Sequence, residues 1–244
     1  TPKGIPLYKS INNLAYNRIE RIEIIRWLNM ALLKGVFGGQ ADGILSKMRN
    51  IIKDNISGDC FPLTHIVEAY KGTNKDLRFD DEYISNLLDI QYGDTRCRAV
   101  LSLLFPEINQ NQVLHIDHLH PNDDFKKENL QEQTFIIDNP DLMEFFAEPA
   151  HWNSIANLHL LNASQNCSKK VTPLSKWVKN PENGFKIEDL LVESSVSLAF
   201  EDFKIFYAER RKALFQRLRN KVFVSDTSLV EEKTLDSTDE EETE

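Results

Sequence analysis

Apolar residues recur at three- and four-residue steps through most of the chain, and that period predicts helices. Between residues 14 and 34, Ile22, Ile25, Leu28 and Leu32 are interleaved with Glu20, Arg21, Glu23 and Arg26, the pattern of an amphipathic helix that Gly35, Gly38 and Gly39 close. Ile44, Leu45, Met48, Ile51 and Ile52 repeat the spacing, and so do Leu63, Ile66, Val67 and Tyr70 after Pro62. Asp80, Asp81 and Glu82 put capping and dipole-complementing charge ahead of Ile84, Leu87 and Leu88, and Gly93 closes that helix. Cys97, Val100, Leu101 and Leu104 form one more, stopped by Pro106. The first hundred residues therefore read as a helical bundle.

Two short stretches break the helical period. Leu114 to His118 reads as a strand that ends in Asp117-His118, and Asn157 to Leu161 as a second strand. Ser164 to Lys170 then reads as the first turn of a helix that presents Asn166 and Lys169. Residues 122 to 154 are less regular, with a helix start at Asn139-Pro140-Asp141 ahead of Leu142, Phe145 and Phe146, and with Trp152 packing the insertion down. Beyond Pro181 to Gly184, Phe203, Phe206, Tyr207, Leu214 and Leu218 predict a long helix whose other faces carry Arg210, Arg211, Lys212, Arg217, Arg219 and Lys221. From Ser225 the chain is acidic and poor in apolar residues, so disorder is expected there. There is no internal repeat.

Composition narrows the class. At 244 residues, 41% hydrophobic and 27% charged, the chain is an ordinary globular sequence of one or two domains. No run approaches the ~18 apolar residues of a membrane span, and no signal peptide opens it. It opens on Thr1 instead of Met, so a fragment or a processed chain is expected. Cys60, Cys97 and Cys167 form no Cys-x-x-Cys pair, which argues against a zinc knuckle and a disulfide framework and for a reducing, cytoplasmic setting. The net charge of −9 looks unsuited to nucleic acid, yet residues 225 to 244 hold nine acids and one lysine. The body that remains is close to neutral, with 28 basic and 29 acidic residues, so local clusters matter more than the total.

The pattern Asp117-His118-Leu119-x-Pro121, then Asn157-Leu158-x-Leu160-Leu161, then Asn166 and Lys169, resembles the HNH (His-Me finger, ββα-metal) endonucleases over residues 112 to 181. Upstream, Leu32 to Phe37, Asp42 to Leu45 and Leu101 to Pro106 are similar to the helical region that precedes this unit in GmrSD-like restriction and phage-defence nucleases. The resemblance implies a mainly α protein with a small ββα-metal core. The expected divisions are a helical region at 1–110, the HNH core at 111–181, a C-terminal helical segment at 182–224 packed on the core, and the acidic tail at 225–244. It implies a metal-dependent endonuclease acting on DNA, the effector part of a restriction or phage-defence protein. The Asp-Gly-Gln-Gln-Arg run of the family's nucleotide-binding domain is absent, since Asp42-Gly43 continues as Ile44-Leu45. A nucleotide-binding domain or partner subunit is then expected outside this chain. The alternative class is a catalytically silent module that binds DNA or contacts a subunit.

By the same resemblance His118 is the general base, suited by an imidazole pKa of ~6.5, while Asp117 and Asn166 are oxygen ligands for Mg²⁺ or Mn²⁺. His115 shares a strand face with Asp117 and reads equally as an auxiliary ligand or a simple strand histidine. Asn157 supports the site by tying its loop together. Lys169, one helical turn from Asn166, is expected to assist catalysis and to meet the same phosphate. Lys170, Lys176, Arg210, Arg211 and Lys212 extend a DNA-binding surface, although a solvated helix face explains the last three as well. His120 is expected on the surface or substrate side, and His159, Trp152 and Trp177 in packing roles.

Overall fold

The computed structural model describes residues 18–39, 41–55, 61–109 and 112–225. Residues 14–17, Cys60 and the acidic tail beyond Ser225 lie outside these. The described chain is mainly helical with one two-stranded antiparallel sheet, and among the described residues no helix is long and apolar enough to cross a membrane.

Five helices come first: α1 (Arg18–Leu33), α2 (Ala41–Asp54), α3 (Leu63–Tyr70), α4 (Asp81–Leu88) and α5 (Cys97–Leu104). The acidic start of α4 works as the sequence predicts, with the Asp80 carboxylate accepting from Tyr83 N at 2.7 Å. In α1 the buried residues are Met30, Ala31 and Leu33, whereas Leu28 and Leu32 are 42% and 56% exposed. The stripe expected from Ile22, Ile25, Leu28 and Leu32 is thus rotated. The helix is apolar on several sides, so period alone cannot choose the buried one; Trp27 does, by packing on Phe37 and Phe61.

Strand β1 (Leu114–His118) and strand β2 (Leu158–Asn162) pair with Asp117 opposite His159 and His118 opposite Leu158. Between them lie four short helices, α6 (Lys127–Gln131), α7 (Thr134–Asp138), α8 (Leu142–Ala147) and α9 (Pro149–Trp152). Helix α10 (Ala163–Lys169) follows β2 directly. Asn162 starts it: its side chain accepts from Gln165 N at 2.9 Å while Gln165 Oε1 accepts from Asn162 N at 3.0 Å. Then come α11 (Leu174–Trp177) and the long α12 (Phe203–Lys221).

The ribbon lies between two cores. Leu114, Leu158 and Leu160 belong to the core of the helical region, and Leu161 to a second core with Leu119, Leu174, Trp177, Phe203 and Phe206. Helix α12 serves both, giving Phe203 and Phe206 to the second core and Leu214 and Leu218 to the first. Where it crosses between them sits Arg210, which is fully buried. Its guanidinium donates to the carbonyls of Leu190, of Asp189 at 3.1 Å and of Leu158 at 3.3 Å. The sequence reading of Arg210 as a surface DNA contact is therefore corrected. A charged residue mid-helix looks solvent-facing by default, but here it answers three backbone carbonyls.

Removing the guanidinium leaves those carbonyls buried and unanswered. Arg210→Ala is expected to lower the unfolding free energy by about 3 kcal/mol or more, read as the shift in urea midpoint. A loss below about 1 kcal/mol would contradict the account, since a typical lost hydrogen bond alone costs that much.

Candidate functional site

The end of β1 gathers the chemistry. Asp117 and His118 are neighbours in sequence, but strand alternation turns their side chains to different sides, so they meet different partners. The two side chains therefore do not stand side by side. The Asp117 charge still favours protonation of His118.

Asp117, a quarter exposed, lies with its Oδ2 3.3 Å from Lys169 Nζ on α10. Lys169 is fully buried, and its ammonium has no well-aligned hydrogen bond, only this ion pair and the Trp177 ring at 5.9 Å. Burial draws its pKa down, and the charges of Asp117 and Asp124 oppose that. The expectation that Lys169 meets the phosphate of DNA, and assists catalysis there, is corrected on this ground. With 1% of its side chain exposed, Lys169 is an internal counter-ion for Asp117.

His118 is 6% exposed. Its Nε2 is 2.8 Å from Asn153 Oδ1, and its ring stands 5.1 Å from that of Tyr92 and 5.9 Å from that of Trp152. Burial holds its pKa below the ordinary histidine value, against the opposing pull of the Asn153 bond and Asp117. Asn157 is buried and ties the neighbouring loop: its Oδ1 accepts from His120 N at 2.9 Å, and its Nδ2 donates to His120 O at 3.0 Å and Trp152 O at 2.8 Å. That locks the backbone two residues past His118.

The other histidines divide. His115 is exposed on the Asp117 side of β1. His120, expected at the surface, is instead 1% exposed among Phe200, Phe203 and Phe206, and burial drops its pKa to about 3. The Asn157 clamp turns it inward. His159 is equally buried between Phe105 and Phe185, with its pKa well below normal.

Of the expected DNA contacts, Lys170, Lys176 and Lys212 are exposed. Arg211 is half-buried and committed to Asp89 at 2.7 Å and to Ser85, so it is not a free surface charge. Asn166 is half-buried on α10, one turn before Lys169.

Sequence reasoning missed Asp124, Asn153 and the Gln91-Tyr92 loop. Asp124 is half-buried, and its raised pKa comes first from burial and then from Asp123, with Lys169 opposing. Its one sequence signal is the Asp123-Asp124 pair seven residues beyond Asp117. The loop carries no motif at all.

The donor set bears on the expected metal. Asp117 and Asn166 are hard oxygen donors of the kind that suit a largely hydrated Mg²⁺ or Mn²⁺. Among the described residues no group of three or more His, Cys, Asp or Glu side chains could hold an ion, so a closed structural zinc site is not formed. The Lys169 ammonium beside Asp117 repels an added cation. The residues thus fit a weakly held ion that keeps most of its water. No protein-family model matches the chain, and no curated protein does either.

Buried neutral imidazoles make the fold acid-sensitive. His120 takes up its proton only near pH 3 when folded but at about 6.5 when unfolded, and His159 is shifted in the same direction. The unfolded chain therefore binds more protons below about 6.5, and stability falls as pH drops through that window. Each such histidine costs up to about 1.4 kcal/mol per pH unit. Thermal melts between pH 7.5 and 5 are expected to fall less steeply for His120→Leu than for the parent chain. Equal slopes would mean that other groups set the acid response.

Proposed function

We propose that this chain is a metal-dependent DNA endonuclease in which His118 is the general base. The observation that carries this is the order and packing of the site. A ribbon ending in Asp117-His118 runs straight into α10, with Asn157 clamping the loop beside the histidine and Asn166 and Lys169 on the helix behind it.

The chain's own residues divide the work. His118 accepts the proton of the attacking water, and its lowered pKa keeps it unprotonated at neutral pH. Asn157 fixes the loop on which that ring depends. Lys169 holds Asp117 in place, and Asp117 with Asn166 would hold the divalent ion; His115 is exposed nearby as an auxiliary donor. When bound, the ion neutralises phosphate charge and stabilises the departing oxygen. Lys170, Lys176 and Lys212 track the nucleic-acid backbone. By resemblance to GmrSD-like proteins, the chain serves as the effector part of a restriction or phage-defence protein. Its gate is a nucleotide-binding domain or partner subunit outside the chain.

One observation favours a second reading, a silent module that binds DNA or contacts a subunit. The Asp117 carboxylate is already neutralised by a buried ammonium, so it has less to offer a metal. Cleavage of supercoiled plasmid with Mg²⁺ or Mn²⁺, set against binding in a chelator, separates the two. His118→Ala is expected to slow cleavage by ~10² to 10⁴ while folding and DNA binding persist. Asp117→Ala and Asn166→Ala are expected to weaken Mn²⁺ binding by calorimetry. A His118→Ala protein that cuts at the parent rate excludes His118 as the base.

Salt dependence tests the surface. Each lysine that neutralises a phosphate adds about 0.9 to the magnitude of the slope of log affinity against log salt on duplex DNA. Lys170→Met and Lys212→Met are each expected to reduce the slope by up to that amount, and Lys169→Met to leave it unchanged. A reduced slope in Lys169→Met would place its ammonium on the DNA after all.

A further inference from the structure

The helical region contributes to the candidate site in a way that the ββα resemblance does not include. The loop between α4 and α5 is joined to the segment ahead of β2 by backbone hydrogen bonds: Tyr92 N donates to Asn153 O at 2.8 Å, and Ile155 N donates to Ile90 O at 3.1 Å. Gln91 and Ser154 form an isolated antiparallel bridge there. The loop is thereby fixed beside His118, with the half-exposed Tyr92 ring 5.1 Å from the imidazole.

Two side-chain contacts follow. Asn153 Nδ2 donates to Gln91 Oε1 at 3.3 Å, which orients the amide and leaves Asn153 Oδ1 facing His118 Nε2 at 2.8 Å. An amide oxygen can only accept, so Nε2 must carry the hydrogen. Nδ1 is then the nitrogen with a lone pair.

The geometry points to Asn153, held by Gln91, as the positioning residue that fixes His118 as its Nε2–H tautomer, with Nδ1 the proton-accepting atom. This rests on the reading of His118 as a base, but the tautomer itself does not. A positioning contact of this kind around a reactive imidazole is worth about 10- to 100-fold in activity by analogy with the partners of metal-bound histidines. Asn153→Ala removes the acceptor while keeping the backbone bonds of the loop. Asn153→Asp keeps an oxygen in its place.

The test is nitrogen NMR of the histidine-labelled full chain, with the His118 signals assigned by their loss in His118→Ala, alongside plasmid cleavage kinetics. The expected result is a pure Nε2–H form in the parent, a mixture in Asn153→Ala, and the Nε2–H form again in Asn153→Asp. In Asn153→Ala, kcat is expected to fall about 10- to 100-fold, with KM and chelator-phase DNA binding nearly unchanged. An unmoved tautomer in Asn153→Ala overturns the proposal, as does an unmoved kcat in an active enzyme. If the parent cuts no DNA but its tautomer depends on Asn153, the positioning contact stands and the nuclease reading falls.

Discussion

The ribbon β1–β2 has five residues in each strand, too few to be stable in water without a layer against its faces. The rest of the architecture follows from that requirement. One layer is the helical region, which receives Leu114, Leu158 and Leu160; the other is the aromatic cluster around Phe203 and Phe206, which receives Leu161. Helix α12 spans both layers, so neither can move away from the ribbon without breaking it. Enclosure also buries polar groups that an exposed hairpin would leave to water, and each of them needs an answer.

Those answers differ by position. Where a backbone turn had to be tied, the chain uses a neutral amide, Asn157, with three hydrogen bonds. At the crossing of α12, where three carbonyls converge, it uses the fork of Arg210. His120 and His159 are accommodated as neutral rings, which is why burial drives their pKa values down. Beside Asp117 the fully buried ammonium of Lys169 is met by a charge. A buried ammonium paired with one partly exposed carboxylate is costly to keep for stability alone.

Much of this was legible in the sequence. The helical period located every long helix, and the change of period at Leu114 and Asn157 located both strands. Asp117, His118, Asn157 and Asn166 stood out because their spacing resembles the HNH pattern. Burial of charge was not legible. Lys169 and Arg210 look solvent-facing in any pattern that sorts residues by polarity, and only the tertiary arrangement shows that the ribbon closes over them. His120 was misjudged for a related reason, since nothing in its neighbours tells that Asn157 will pull its backbone inward. The α1 stripe failed because apolar residues fall on several sides of that helix, so period alone does not choose the buried one.

The Gln91-Tyr92 loop marks the limit of motif reading. It meets Asn153 across 62 residues of chain, and the contact is made mainly by backbone groups that leave no trace in side-chain identity. Yet without it the Asn153 amide that meets His118 would lose its Gln91 partner, and the imidazole an aromatic neighbour, at once. A segment cut to residues 111–181 would also strip the cover from Leu114, Leu158 and Leu160. Asp117 and His118 sit on the ribbon, but the contacts that hold the His118 imidazole are anchored from the helical region, so the two parts form one structural unit there.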